Sequence, residues 1–389
     1  MSGRTIRKSI LVLAFLLGLG SQASVLARGA FGPIVDHHYD ATLLVVRTGN
    51  AVWPPVAVDS LAEYLVVYGS LDGPDVDYGR LAAELFFANG GQVLYVIDPQ
   101  GNDPGDFENA LELSADLPVS LVAMPSAACC QEFPLVHAAI MNVLVAHAAQ
   151  SANRFALVDA PRNSDSSALL AYRSSFSSQH AALYAPWLQI PETIGSSQLV
   201  DVPPSAAVAG VISRIDRESG IFETPAGLDA ELMEPPMTSL ERDLSASQDT
   251  LNPAGINLLR EFDSPPDILV WGGRTLFDEP LRRYIASARF MRHLEYSISR
   301  SLAGISELDP GAVNPAVIDL LIEDYLEAYW LQGAMTGDTP EQAYFVSCSN
   351  APPFLNCAVG VAMFLPSEFD LLILNLPYRD ALFHSRFEP

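Results

Sequence analysis

Lysine is almost missing from this chain of 389 residues: Lys8 is the only one, and every other cation is an arginine. With a formal net charge of −25 and no basic stripe, a phosphate backbone would be repelled, which argues against nucleic acid as a partner. Arginine offers a planar five-donor fork suited to carboxylates, whereas lysine is a hydrated point charge. Arginine-only usage in an acidic chain fits specific ion pairs between copies, and it equally fits codon bias in a GC-rich genome. Cysteine is scarce too. The four present form no Cys-x-x-Cys pair and no Cys/His cluster with zinc spacing, so neither a zinc site nor any other metal or cofactor is expected.

Catalytic signatures are also lacking. Gly-x-Ser-x-Gly does not occur, and Gly272-Gly273-Arg274 follows neither the GxGxxG nor the GK[ST] pattern of a phosphate loop. The histidines, His37, His38, His137, His147, His180, His293 and His384, are scattered, and His137 and His147 stand ten residues apart, off a common helical face. Glu323, Asp324 and Glu327 lack a histidine partner three residues on, so they read as a solvated helix face rather than a di-iron site. Tyr325, Tyr329 and Trp330 on the same helix read as core or interface aromatics.

No apolar run approaches the ~20 residues of a membrane-spanning helix. The longest near the N-terminus, Ile10 to Leu19, follows Arg4, Arg7 and Lys8 and precedes small residues at Ser21-Gln22-Ala23 and Ser24-Val25-Leu26-Ala27. That order predicts a secretory signal over residues 1–27, cleaved near Ala23 or Ala27, and an exported, periplasmic or extracellular protein. Loss of 1–27 removes three cations and no acids, taking the charge from −25 to −28. The competing reading is a misassigned start or a retained apolar arm on a cytoplasmic protein. Cys348 and Cys357 bracket SNAPPFLN, a turn-rich connection between two strand-like runs, and are expected to be bridged. Cys129 and Cys130 are adjacent and read as free, buried thiols.

With 49% hydrophobic residues the chain has ample material for a core. Apolar strand-like runs at Thr42–Val46, Val93–Ile97, Val119–Met124 and Phe155–Asp159 alternate with helix-like stretches at Tyr78–Ala88, Phe133–Ala149 and Ser205–Arg214. This predicts an α/β core with a mostly parallel sheet covered on both faces. Asn89-Gly90-Gly91 supplies a helix stop, and Asn163 to Ser167 supplies caps for the next helix. The Pro- and Ser-rich stretch Glu231–Thr250 reads as a surface loop or hinge, placing a boundary near residue 245 between domains 28–245 and 246–389. Beyond it come a strand at Ile268–Trp271, helices at Pro280–Leu302 and Asn314–Gln332, and strands at Tyr344–Cys348, Asn356–Phe364 and Phe369–Leu374.

Several motifs carry a resemblance. Ala206 to Gly210 lead into Arg214 and Asp216, then Pro225-Ala226-Gly227, then Leu251-Asn252-Pro253 with Gly255-Ile256-Asn257, then Val270-Trp271-Gly272-Gly273-Arg274-Thr275-Leu276. Arg283-Tyr284-Ile285 and Gly333-Ala334-Met335-Thr336-Gly337 follow, and Asn89-Gly90-Gly91 and Ala182 to Trp187 precede. Together they resemble the tail sheath subunits of contractile phages and injection systems. The resemblance implies a subtilisin-like three-layer core with a C-terminal α+β subdomain, and a structural protein without catalysis, which self-associates or docks on a tube-like partner. It offers Arg214, Asp216, Gly227, Asn252, Gly255, Asn257, Trp271 and Arg274 as interface or fold-defining residues.

Three features depart from that family. Its members carry no signal segment; only Arg28–Asp40 would remain here as an N-terminal arm; and Leu302–Asn314 has little strand character where the family places a strand ending Phe-Glu-Pro-Asn. Subtilase triad motifs are absent despite the implied core, so a cryptic hydrolase ranks below a monomeric exported binding protein on the same scaffold, and both rank below the sheath reading.

Overall fold

In the computed structural model the described residues are 31–37, 41–71, 76–130, 134–193, 196–233, 239–263 and 266–379. The segment 1–27 expected to be a secretory signal, Phe387-Glu388-Pro389 and the side chains of Cys129 and Cys130 fall outside what is described.

The unbroken apolar runs become strands buried on both faces. β1 (Ala41–Val45), β2 (Val93–Ile97), β3 (Leu121–Ala123), β4 (Phe155–Asp159), β5 (Ala181–Ala185) and β9 (Ile256–Asp263) pair in parallel, and β10 (Pro266–Val270) adds antiparallel to β9. The order is β10-β9-β5-β4-β3-β1-β2. Alternate residues feed opposite layers, as the two-residue period of a strand requires. Leu44, Leu157 and Tyr184 join the cluster under α1 (Leu61–Val67), α2 (Tyr78–Ala88) and α6 (Ser205–Glu218). Leu43, Val158 and Leu183 join the cluster under α3 (Pro104–Leu113), α4 (Pro134–Gln150) and α5 (Ser166–Arg173).

Local chemistry sets the helix ends. Asp77 and Asp165 accept from the backbone N–H groups of Arg80 and Ala168 at 3.0 and 2.8 Å, and Asp103 and Asp106 form a reciprocal capping box. Gly210 lets α6 approach α2, since a Cβ there would stand 2.4 Å from the carbonyl oxygen of Phe86. A small antiparallel sheet of β6 (Leu188–Pro191), β7 (Leu199–Val202) and β8 (Ser239–Leu240) sits beside the main one.

The boundary expected at residue 245 is corrected. After the loop the chain passes through α7 (Gln248–Leu251) and returns to the same sheet as β9 and β10, with Leu251, Ile256, Leu258 and Leu276 all in one core cluster. A Pro- and Ser-rich composition marks an excursion from the surface; it does not say whether the chain comes back. The seam lies after Leu276.

Beyond the seam, α8 (Ile285–Ser301) and α9 (Pro315–Leu331) enclose a third core with the antiparallel sheet β11 (Tyr344–Ala351), β12 (Phe354–Val361) and β13 (Asp370–Pro377), ordered β11-β12-β13; α10 (Pro340–Ala343) precedes β11. α8 starts five residues later than the sequence pattern predicts. Tyr284 is held extended instead, in an antiparallel bridge with Arg274 closed by Thr275 N–H to Arg283 C=O at 2.8 Å and Ile285 N–H to Gly273 C=O at 2.9 Å. Leu302–Asn314 forms 3-10 turns at Ala303–Glu307 and Pro310–Ala312. The segment 31–37 lies on this unit. Val35 N–H and His37 N–H donate to the hydroxyls of Ser301 and Ser297, and the Asp36 carboxylate meets His293 Nε2 at 2.9 Å and the Tyr329 hydroxyl at 2.8 Å.

Candidate assembly surfaces

The eight residues singled out by resemblance are joints inside the subunit, and none is fully exposed. Arg214, buried on α6, donates to the carbonyls of Glu231 and Asp229 at 2.7 and 3.2 Å and to Asn89 at 3.4 Å, clasping the segment that follows Gly227. Asp216 forms a two-pronged pair with Arg289, 2.8 Å on one prong, and both side chains are 3% exposed. That pair ties α6 of the first unit to α8 of the second. Gly227 has φ +97 and Gly255 φ +84, a region where a side chain is strained. A Cβ on Gly255 would also stand 2.9 Å from the Thr275 carbonyl.

Asn257 is fully buried and spends all its capacity on backbone. Its Nδ2 donates to the carbonyls of Arg274 and Leu183 at 2.7 and 3.2 Å, and its Oδ1 accepts from Arg274 N–H at 2.7 Å. Gly272 packs against it, leaving no room for a Cβ. Asn252 closes the turn before β9 through its carbonyl, which accepts from Gly255 N–H at 2.9 Å. Trp271 packs at a tilt against Phe262, ring centroids 4.9 Å apart, with the Arg260 guanidinium over both rings. Arg274 lies 5.5 Å over Tyr284, across the seam. These motifs close the fold on itself.

The surfaces open to a partner lie elsewhere. Each edge of the large sheet is covered by its own chain. Val58 exchanges two 2.9 Å hydrogen bonds with Leu94 of β2, and Ala230 and Leu232 pair with Val270 and Ile268 of β10 at 2.9 and 2.8 Å. Among the described residues no strand or bridge covers the outer side of β11 or β13. Each receives one side chain, Asp319 accepting from Cys348 N–H at 2.7 Å and Arg282 donating to Leu371 C=O at 3.2 Å. The outer face of this sheet exposes large apolar side chains, Phe345 37%, Leu371 49% and Ile373 60%, beside Ser347, Ser349 and Asn375. Cys348 and Cys357, opposite one another in register, are joined by a disulfide. Sequence patterning missed these edges because pairing partners are not a property of a strand's own residues.

Among the described residues the titratable groups build no catalytic array. Burial pushes His137, beside the Tyr172 hydroxyl, down to about 4. Burial, helped by Arg154, does the same to His147. His180 is pushed to about 3 by burial and then by Arg292 and Arg282. Asp159 accepts from Ser205 N–H and Oγ at 2.9 and 2.7 Å, and burial raises it to about 7. Among the described residues no histidine bonds to Ser205 or Asp159, so this pair lacks the base a serine nucleophile needs. Also among the described residues, no helix is long and apolar enough to cross a membrane, and no group of three or more metal-ligating side chains occurs.

Residues 100–276 match the family described as the phage tail sheath protein central domain. Among solved structures, the chain is similar to the anti-feeding prophage (AFP) helical sheath in its contracted state, with TM-score 0.71 and 24% identity over 94% of this chain and 99% of that one. It is similar to the PVC sheath complex of an extracellular contractile injection system in its contracted state, with TM-score 0.69 and 22% identity over 95% and 98%. The sheath tail protein of Listeria innocua shares the fold at TM-score 0.61 and 9% identity over 93% and 99%. No curated protein matches the chain.

Proposed function

We propose that the chain is a member of the tail sheath family, a structural subunit that self-associates through β11 and β13 into a sheath docked on a tube-like partner, and that it is exported. The observation that carries self-association is the contrast between covered and bare sheet edges. An uncovered strand presents unpaired N–H and C=O groups to any chain that can add to it, and here two such edges flank a face that exposes Phe345, Leu371 and Ile373. Main-chain pairing of this kind persists in salt that screens surface ion pairs, for which the Debye length is ~8 Å at physiological ionic strength.

Negative-stain microscopy of the purified mature chain at rising concentration should show tubes or rings. A strictly monomeric chain from which cross-linking recovers no partner would put the exported binding-protein reading ahead. Export rests on the N-terminal pattern of charge, apolar run and small residues. Mass spectrometry of protein from its native cell should find a terminus at Ser24 or Arg28, whereas an intact Met1 in a cytoplasmic fraction would reject export and leave assembly untouched.

A further inference from the structure

In a chain whose formal net charge is −25, Arg154, Arg289 and Arg292 converge on one cavity at the seam between the two units, with His180 in its wall. Arg289 is neutralised by Asp216. Arg154, 4% exposed, has only neutral acceptors: the Ser114 hydroxyl at 2.7 Å, backbone carbonyls of Ser114, Ala115 and Leu117, and His147 Nε2 at 2.6 Å. Arg292 reaches His180 Nε2 at 2.9 Å and the Ala148 carbonyl at 3.4 Å, and its buried Nε has no partner. Among the described residues no carboxylate comes within ion-pair distance of either side chain. Burial lowers both guanidinium pKa values, Arg154 to about 10, with the more distant Asp116 and Glu295 opposing the effect.

Arg154 is buried and Arg292 half-buried with its Nε enclosed, and cations so placed without a counter-charge are costly and rare in folded proteins. The cavity itself has room for about one water-sized sphere, near 10 Å³. That size admits a monatomic anion and refuses phosphate or a partner's carboxylate. Access is at hand: His180 also lines an adjoining cleft of about 770 Å³ that runs past Gln179 and Arg282.

We propose that this cavity binds a small monovalent anion of the chloride class between Arg154 and Arg292. The bound ion fastens α8 of the second unit to the start of β4 and β5 in the first. It is therefore a tie across the seam, independent of the free edges of the small sheet.

The test is thermal unfolding of the mature chain in sodium chloride, sodium bromide and sodium gluconate at matched ionic strength across the millimolar range. Chloride and bromide should raise the midpoint along a saturating curve, and gluconate, too large for the cavity, should not. Arg292→Gln should move half-saturation to concentrations about tenfold higher or more, the loss expected from one charge-assisted contact. Coincident chloride and gluconate curves would overturn the site, as would a variant that keeps the wild-type half-saturation. Chloride NMR line broadening, measured on Arg292→Gln shown to be folded by circular dichroism, reads binding without reference to stability. Excess broadening in the wild type that vanishes in the variant supports the site, and equal broadening in both rejects it.

Discussion

The seven-stranded sheet ends on β2 and β10, and at both places the chain folds a segment back over the edge: Val58 on one side, Ala230 to Leu232 on the other. The three-stranded sheet ends on β11 and β13, eight residues each, and no described segment returns to cover them. Physically the two sheets face the same hazard, because an open edge recruits whatever strand is near. In one the hazard is removed within the monomer; in the other it is kept as a means of association. The family-like motifs fall almost wholly on the first solution. Arg214 and Gly227 hold the β10 cover in place, and Asn257 with Arg274 fixes the turn that leads out of the sheet.

The comparison is broken most severely at the tie between the units. Asp216→Ala leaves Arg289 buried without its carboxylate, and loss of one partner of a buried pair costs about 3–5 kcal/mol. Urea denaturation should show that loss, with α8 freed from α6. An effect below about 1 kcal/mol, the ceiling for exposed pairs, would mean that the pair is solvated and the seam loose.

Next in size is the disulfide, which acts within the open sheet alone. Replacing Cys348 and Cys357 with serine reopens a short hairpin loop, and chain entropy puts the loss at ~2–3 kcal/mol. The larger sheet should be untouched, because its cores are separate clusters. Hydrogen exchange should therefore rise in β11 and β12 and stay fixed in β1 to β5. Uniform loss of protection would show the two units to be one cooperative body.

The acid response of the first unit combines groups of opposite sign. His137, His147 and His180 belong to the first unit, and their folded values of about 4, 4 and 3 lie below the ordinary 6.5. Neutral in the fold, they contribute stability that is complete above pH 6.5 and lost as pH falls towards those values. Asp159 runs the other way. Raised from 3.8 to about 7, it stays protonated in the fold longer than in the unfolded chain, so its contribution is complete below pH 3.8 and lost as pH rises through 7. Three histidines against Asp159 and Glu241, whose carboxyl burial also raises, predict a net fall in thermal midpoint between pH 6.5 and 4. Asp159→Asn keeps an acceptor for Ser205 while removing one opposing group, and should steepen that fall. An unchanged slope would place the titration elsewhere.

Much of this arrangement was readable from residues alone, and the failures share a cause. The bounds of α2 coincide with the expected Tyr78–Ala88 because Asp77 and Asn89-Gly90 set them locally. β2 and β4 are read directly from apolar runs. Val119–Met124 shrinks to Leu121–Ala123 because Val119 N–H turns back to Leu117 C=O at 2.9 Å. The return of β9 to the sheet depends on β5, and Arg289 and Arg292 depend on Asp216 and His180, all more than fifty residues away, while the extended start before α8 is set by Gly273 and Thr275 in a loop that is itself placed by the sheet. Arg289 and Arg292 stand three apart amid Phe290, Met291 and Leu294, an interruption of an apolar helix face that signals buried charge. That signal was available and shows no partner by itself.

The smallest effect on the monomer should be the most telling for assembly. Ile373 is 60% exposed on the outer face of β13, so Ile373→Lys removes little packing, and surface changes of this kind stay within about 0.5 kcal/mol. Lysine on an edge strand is nevertheless a strong block to strand addition, since its charge would have to be desolvated against the incoming chain. Arg274→Glu makes the matching control on the covered side. It removes the contact over Tyr284, worth about 0.5–1 kcal/mol, and places an acid in an acidic chain without touching β11 or β13. Light scattering of the two variants should diverge. Ile373→Lys should keep the wild-type melting point and lose high-mass species, while Arg274→Glu should melt slightly lower and still assemble. If Arg274→Glu dissociates the assembly while Ile373→Lys leaves it intact, contacts run through the arginine side of the seam, and the bare edges of the small sheet are not where copies meet.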